Sequence, residues 1–253
     1  MGKVISVSNQ KGGVGKTTTA VNVAAFIADT GRRVLIVDID PQANAGYGVG
    51  VSAADMDKTI YEVLIGSVPI RDAIVKTNFR ELYLIPSNIH LAGAQVDLLE
   101  MEGKEFILRN AVDDIRNSYD YIFIDCPPSL GILTLNSLAA ADSVLIPLQC
   151  EYYALEGLNQ LLRIIAMVQE NINRGLSIEG IVLTMYDSRT NLSQQVVSDV
   201  REYFGDKAFR TIIPRSVRLS EAPSFGKPIG SYDRGSIGSV TYEKLAKEVL
   251  KNG

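Results

Sequence analysis

The sequence predicts an α/β fold: one domain over residues 1–253, built on a doubly wound, mostly parallel β-sheet with helices on both faces. Short, nearly continuous runs of Val, Ile and Leu alternate with amphipathic stretches, and such runs suit strands that are covered on both sides. The chain of 253 residues is 46% hydrophobic, enough for one such core. No repeat, low-complexity tract or linker divides it.

Seven apolar runs are predicted to be strands: Val4–Val7, Val34–Val37, Leu82–Ile85, Tyr121–Ile124, Val144–Pro147, Ile178–Thr184 and Thr211–Ile213. Six stretches are predicted to be helices: Lys16–Asp29, Lys104–Asn117, Leu133–Ala141, Ala154–Asn173, Ser193–Phe204 and Tyr242–Asn252. The alternation predicts βαβ units, which bind ligands beyond the carboxyl ends of their strands. Residues Ala43–Asp57 are the most irregular stretch, and we expect a mobile loop there.

Composition narrows the class of protein. The two cysteines, Cys126 and Cys150, indicate no disulfide framework. The N-terminus runs directly into a strand pattern and no apolar run is long enough to span a bilayer, so we expect a cytoplasmic protein. The net charge of −4 is unlike that of a typical nucleic-acid-binding domain, yet residues 201–253 hold ten basic and six acidic residues.

The strongest functional signal is a glycine-rich loop between the first predicted strand and the first predicted helix. Glycines let backbone N–H groups surround a phosphate, and the helix N-terminus favours the same anion. We expect the Lys16 ammonium to reach the β- and γ-phosphates and the Thr17 hydroxyl to bind Mg²⁺. The alternative is a glycine-rich turn with incidental lysines. The loop reads Lys11-Gly12-Gly13-Val14-Gly15-Lys16-Thr17-Thr18.

Carboxylates follow two of the predicted strands. Asp38 and Asp40 stand at alternate positions at the end of the second strand, so they project to the same side. Asp125 follows Tyr121–Ile124, and a buried strand that delivers one carboxylate suits a Mg²⁺ site. No Glu follows Asp125 to position a water molecule, so we expect a bound nucleotide to be hydrolysed slowly. The alternative for Asp40 is an Asp-Pro turn that ends the strand.

The glycine-rich loop resembles the deviant Walker A motif of the ParA/MinD family, and other segments are similar to its ParA/Soj branch. The resemblance covers nearly the whole chain and implies a P-loop ATPase that uses ATP and Mg²⁺ to segregate DNA. It also implies an ATP-bound homodimer and a ParB-type centromere-binding partner that stimulates hydrolysis. The further segments are Asp125–Ser129, Gln149–Gly157, Thr184–Asn191 and Ile213–Ser224.

The resemblance also implies roles for individual residues. Lys11 would reach across the dimer to the partner's phosphates, and Gly12 would lie at the tight dimer interface. Asp40 would position the attacking water, while Asp38 and Asp125 would support the metal. The segment from Pro214 to Ser216 would line the adenine pocket.

Four basic residues are candidates for DNA contacts. Arg189 and Arg218 match family residues that bind DNA phosphates, and Lys227 and Lys247 extend the patch. Such contacts fix position without reading sequence, so the resemblance implies non-specific binding of double-stranded DNA and association with the nucleoid. The alternative is that these are surface arginines paired with nearby acids such as Glu221.

Two other functions remain open at this stage. A MinD-like membrane-positioning ATPase needs an amphipathic C-terminal helix with a basic face, whereas the segment from Tyr242 onwards has few large apolar residues and predicts a packed terminal helix without stable membrane association. A biosynthetic ligase on the same nucleotide fold would need a small-molecule pocket. A metal or redox role of Cys126 is rejected, and His90 is the only histidine, which excludes a histidine cluster.

Overall fold

One eight-stranded sheet organises the chain, in the order β3-β4-β2-β5-β1-β6-β7-β8. The structure is a computed structural model that describes residues 1–52, 56–152 and 154–252. β3 pairs antiparallel with β4, and the other seven strands run parallel in this described part. The strands are β1 (Lys3–Val7), β2 (Val34–Asp38), β3 (Val75–Lys76), β4 (Leu82–Ile85), β5 (Tyr121–Asp125), β6 (Ser143–Gln149), β7 (Ser177–Tyr186) and β8 (Ala208–Pro214).

Helices cover both faces of the sheet. Alternate residues of β5 show why the strand is apolar throughout: Ile122 and Ile124 belong to the core cluster under α4–α8, whereas Phe123 belongs to the one under α1 and α11. The helices are α1 (Lys16–Asp29), α2 (Asn44–Gly48), α3 (Ile60–Leu64), α4 (Leu91–Leu99), α5 (Ile107–Asp113), α6 (Ile132–Ala140), α7 (Ala154–Asn171), α8 (Asn191–Phe204), α9 (Val217–Glu221), α10 (Ile229–Tyr232) and α11 (Ile237–Lys251).

The predicted doubly wound α/β fold is confirmed. All seven predicted strands lie within observed strands, and α1 has the predicted bounds. β3 was not predicted, because two residues give no periodic signal. The helix predicted at Tyr242 begins earlier, at Ile237, because the Ser236 hydroxyl accepts a hydrogen bond from the Ser239 N–H at 3.2 Å and caps the first turn.

The helix predicted over Lys104–Asn117 is shorter than expected. It spans Ile107–Asp113, and a separate 3₁₀ turn follows at Arg116–Ser118. The Asn136 side chain explains the late start, because it takes both groups that would form a helical bond: its amide donates to the Lys104 carbonyl at 2.7 Å, and its oxygen accepts from the Leu108 N–H at 3.0 Å.

The prediction of a mobile loop over Ala43–Asp57 is wrong for the first part of that segment. Asn44–Gly48 forms α2, which packs so tightly on α1 that a Cβ added at Gly48 would lie 3.2 Å from the Val21 side chain. The Asp38 carboxylate anchors the start of α2 by accepting the Ala45 N–H at 3.0 Å. Residues 53–55 of the expected loop lie outside the described residues.

Candidate nucleotide site

The glycine-rich loop turns from β1 into α1 through left-handed glycines. Gly13 has φ 74° and Gly15 has φ 89°, conformations that side-chain-bearing residues rarely adopt. Gly15 is the N-cap of α1, and no side chain of the described residues caps this helix end. The amides of the first turn are therefore available to an anion, which the helix dipole also favours.

Two neighbouring strands brace the loop from below. The Asn9 amide donates to the Pro147 carbonyl of β6 at 2.7 Å, and the Asn9 oxygen accepts the Lys11 N–H at 3.0 Å. The Thr184 hydroxyl of β7 donates to the Val14 carbonyl at 2.8 Å. Sequence reasoning did not single out Asn9, since its partner lies 138 residues away.

A cavity of about 400 Å³ opens above the loop. It brings together seven of the predicted site residues from the loop and the end of β2, together with Lys227, which was predicted for a DNA patch. Four other predicted site residues are close in sequence to the lining residues but do not line the cavity themselves: Lys11, Val14, Asp38 and Asp125. The lining residues are Gly12, Gly13, Gly15, Lys16, Thr17, Thr18, Val21, Asn22, Asp40, Gln42, Asn44, Tyr47, Gly48, Pro128, Met185, Leu219, Ala222, Pro223 and Lys227.

The Lys16 side chain is held inside the loop. It is 7% exposed, and its ammonium donates to the Lys11 carbonyl at 3.1 Å. Burial lowers the pKa of this ammonium, while the nearby acids Asp125, Cys126 and Asp40 raise it in part. A bound phosphate would give this desolvated cation the anionic partner that the loop carbonyl replaces.

Asp125 is a fully buried carboxyl group whose two oxygens have no hydrogen-bond partner among the described residues. Burial raises its pKa to about 7, although the nearby Thr17 hydroxyl lowers it and Asp40 raises it further. An unpartnered buried carboxylate beside a threonine hydroxyl fits Mg²⁺, which uses one or two protein ligands together with phosphates and waters. The described residues hold no group of three or more His, Cys, Asp or Glu side chains suited to a metal.

Asp38 lies beside Asp125 in register on the neighbouring strand and is also fully buried. Its two oxygens accept the N–H groups of Asp40 and Ala45, each at 3.0 Å. Burial and then the charge of Asp125 raise the pKa of Asp38 well above its usual value. Asp38 therefore orders the chain between β2 and α2, and its metal contact stays a prediction.

The Asp40 side chain both stabilises the turn after β2 and lines the cavity. Its carboxylate accepts the Gln42 N–H at 3.0 Å, the geometry of the Asp-Pro turn that was the alternative interpretation. The same side chain lines the cavity at 7% exposure. The two interpretations of Asp40 are thus compatible, and its role in positioning water stays a prediction.

The residues predicted to act across a dimer lie at the open side of the loop. Lys11 forms an ion pair with Glu151 of its own chain and does not line the cavity. A Cβ added at Gly12 would have Pro128 as its nearest described neighbour, at 4.0 Å. Nothing described within the chain therefore requires glycine at position 12.

An apolar wall bounds the cavity at the ends of β7 and β8. It consists of Met185, Leu219, Ala222 and Pro223. Met185 has φ 52°, a left-handed conformation that is strained for its side chain. The predicted adenine residues do not line the cavity: Pro214 ends β8, and Ser216 is the N-cap of α9. Their contact with adenine stays a prediction.

Three of the four predicted DNA residues form ion pairs within the chain. Arg189, 85% exposed, binds Asp187 through two hydrogen bonds of 2.9 and 2.6 Å. Arg218 contacts Glu221 at 2.9 Å and Asp233 at 3.3 Å, and Lys247 contacts Glu243 at 2.7 Å. The Glu221 pair is the one that the alternative interpretation named. Exposed ion pairs contribute little to stability, so a DNA phosphate could displace these carboxylates.

Cys126 lies behind Asp125 as a buried, free thiol. It donates to the Ser137 hydroxyl at 3.0 Å and lies 3.4 Å from the Ser6 hydroxyl. Burial raises the pKa of this thiol. Cys126 is therefore placed as a small core residue.

Comparison with known proteins identifies close relatives. Residues 2–178 match a family described as an AAA domain. The chain is 54% identical to the sporulation initiation inhibitor protein Soj of Bacillus subtilis (strain 168), covering 100% of both. It is 55% identical to the chromosome partitioning protein ParA of Myxococcus xanthus (strain DK1622), covering 99% of this chain and 89% of that one.

A solved structure is also similar over nearly the whole chain. It is called cobyrinic acid a,c-diamide synthase, from Mycobacterium smegmatis, and contains ADP and magnesium. The TM-score is 0.87 at 39% identity, covering 99% of this chain and 95% of that one. A second structure of the same synthase contains an ATP analogue and magnesium. The chain is also 52% identical to the chromosome-partitioning ATPase Soj of Treponema pallidum (strain Nichols), covering 99% of this chain and 98% of that one. The predicted ATPase activity and the predicted cofactors, ATP and Mg²⁺, are thereby confirmed.

Burial of Asp125 predicts a pH dependence of stability in the absence of Mg²⁺. The folded chain keeps a proton on Asp125 up to about pH 7, whereas the unfolded chain releases it near pH 4. The free energy of unfolding should therefore fall as the pH rises through this window. Asp125→Asn should remove that part of the fall, so the variant gains stability relative to the wild type above about pH 7. Urea unfolding measures this, with Asp113→Asn, an exposed position on α5, as the control. Equal pH dependence in wild type and Asp125→Asn would contradict it.

Proposed function

The chain belongs to the ParA/Soj family of chromosome-partitioning ATPases, and from this premise we propose that it is an ATP-driven switch for DNA segregation. Two chains would close around two molecules of ATP, and the dimer would bind double-stranded DNA without sequence preference. A ParB-type partner would stimulate hydrolysis and release the dimer. The protein would act in the cytoplasm, on the nucleoid.

The residues of the cavity, together with the buried Asp125, support the hydrolytic half of the proposal. The loop amides and Lys16 would hold the phosphates, while Thr17 and Asp125 would hold Mg²⁺. Mg²⁺ would supply positive charge where negative charge develops on the transferred phosphoryl group. Asp40 would orient the attacking water from the edge of the cavity. No Glu follows Asp125 to help position the water, which accords with slow hydrolysis.

The observation that carries the switch is the open surface around the loop. Lys11 points away from its own cavity toward Glu151, and Gly12 has free space around it within the chain. Lys11 and Gly12 would both contact a second copy of the chain if that copy bound over the loop. The lysine could then exchange the half-buried Glu151 carboxylate for the partner's phosphates, and the glycine would permit close approach.

The C-terminal helix bears on the MinD-like alternative. Tyr242, Leu245 and Val249 are at most 1% exposed and pack in the core cluster with α1. The predicted packed terminal helix is therefore confirmed, and its apolar face is engaged with the protein. No helix in the described residues combines the length and apolar character needed to cross a membrane.

Because the chain is similar to the Mycobacterium smegmatis structure, a biosynthetic ligase is the second candidate function. Its name describes an amide-forming enzyme, and its identity with this chain is 39%, against 54% and 55% for the two partitioning proteins. A ligase of that class would turn over ATP when given a carboxylic acid and an amide donor. Turnover that responds to these substrates, and not to DNA, would favour the ligase.

Gly12→Val is expected to abolish ATP-induced dimerisation while leaving ADP binding intact. A Cβ at position 12 has room within one chain, whereas the valine side chain would meet a second chain across the loop. Light scattering after size-exclusion chromatography, with ATP and with ADP, measures the mass. Gly157→Val on α7, where an added Cβ meets no described atom within 4 Å, is the control. A Gly12→Val protein that dimerises like the wild type would contradict the proposal.

DNA binding is the direct test of the proposed function. Unrelated duplex DNA should bind with ATP and release with ADP or without nucleotide. The logarithm of affinity should fall by about 0.9 per log unit of salt for each phosphate neutralised. Arg189→Ala should weaken binding and reduce the slope by about one such step. Arg163→Ala, exposed on α7, is the matched control. Absence of DNA binding in every nucleotide state, despite ATP binding and dimerisation, would reject the DNA claim.

A further inference from the structure

The nucleotide cavity has two walls that come from distant parts of the chain. The first wall is the segment from the end of β2 to Gly50, which contributes Asp40 and Tyr47. The second wall runs from α9 to Lys227 and contributes Leu219, Ala222 and Pro223. About 170 residues separate the two walls in sequence, so a tertiary contact sets the distance between them.

The two walls meet backbone to backbone at Gly50 and Gly226. Both residues adopt left-handed conformations, with φ 72° and φ 62°. A Cβ added at Gly226 would lie 2.7 Å from the Gly50 Cα, and one added at Gly50 would lie 3.0 Å from the Gly226 carbonyl oxygen. Glycine is therefore required at Gly226 twice, by conformation and by space.

The first wall is hydrogen-bonded to the buried Asp38 carboxylate. The Asp38 oxygens accept the N–H groups of Asp40 and Ala45. The Gly50 N–H donates to the Tyr47 carbonyl at 3.2 Å, which ties the end of this wall to α2. A shift of Asp40 on nucleotide binding would therefore move Gly50 with it.

The second wall carries two of the candidate DNA residues. Arg218 stands on α9, and its guanidinium contacts Glu221 and Asp233. Gly226 closes the turn that follows, since its N–H donates to the Pro223 carbonyl at 3.0 Å. Lys227 comes next and lines the cavity. Gly226 thus lies between the apolar nucleotide wall and Lys227, on the same segment as Arg218.

We propose that Gly50 and Gly226 are positioning residues whose contact sets the separation of the two cavity walls and carries the nucleotide state from Asp40 to the segment of Arg218. Two backbones in direct contact have no side chain that can yield, so a shift of one wall moves the other. The part that concerns DNA rests on the proposed function. The part that concerns nucleotide affinity does not.

The test uses Gly226→Ala and Gly50→Ala, which widen the same contact from opposite sides. Gly226→Ala should raise the KM for ATP and the Kd for a fluorescent ADP analogue about tenfold, the effect of modest overpacking, with a smaller change in kcat. Gly50→Ala should act in the same direction more weakly, because its Cβ has more room. In both variants the ratio of DNA affinity with ATP to that with ADP should fall toward one.

Gly66→Ala and Gly205→Ala control for backbone strain. These glycines have φ 77° and φ 50°, and an added Cβ meets no described atom within 4 Å at either. The controls should lose thermal stability yet keep wild-type KM and DNA ratios. The proposal is overturned if Gly226→Ala behaves as the controls do; should it not fold, Gly50→Ala decides by the same criterion. A raised KM in a protein whose wild type never binds DNA would support the spacing role and reject the proposed function.

Discussion

Two carboxyl groups buried side by side at the carboxyl end of the sheet dominate this site. Asp38 and Asp125 stand in register on adjacent parallel strands and are both fully buried. A buried carboxylate is costly unless hydrogen bonds or a cation compensate it. Backbone N–H groups compensate Asp38, whereas Asp125 has no such partner among the described residues. The sheet thereby places a buried carboxyl group where a cation can bind, near Lys16 and Thr17.

The compensation of Asp38 also links chemistry to conformation. By holding the N–H groups of Asp40 and Ala45, Asp38 joins the end of β2 to α2 and so to one wall of the nucleotide cavity. The opposite wall begins on α9, the helix that carries Arg218, and it belongs to the basic C-terminal part of the chain. Both walls are needed to enclose a nucleotide, and their contact at Gly50 and Gly226 makes them one mechanical unit. In such an arrangement, nucleotide binding in the cavity can shift the conformation of a surface that the nucleotide does not contact.

Much of the fold followed from local patterns. Strands buried on both faces are continuous apolar runs, so all seven predicted strands lie in the sheet, and the glycine-rich loop defined the start of α1. The failures have long-range causes. Asn136 from α6 delays the start of α5, and Asp38 orders α2 in a segment that has no periodicity. Neither effect can be read from the neighbouring residues.

The candidate site shows the same division. The loop and Asp40 were found from spacing and strand position, and the structure brings Asp40 and six of the eight loop residues to one cavity. Asn9 was missed because its brace to β6 is tertiary, and Met185 because its left-handed backbone has no sequence signature. Lys227 was predicted for DNA but lines the nucleotide cavity. Three predicted DNA residues are ion-paired within the chain, a detail that depends on side-chain placement.

The most direct test of the central claim is the proton released when Mg²⁺ and ADP bind near pH 7. Calorimetry in buffers of different ionisation enthalpy measures that release. If the unpartnered Asp125 carboxyl, with its pKa of about 7, receives the metal, the wild type should release a fraction of a proton per site. Asp125→Asn should release less and bind more weakly. Equal proton release by the two proteins would contradict the account.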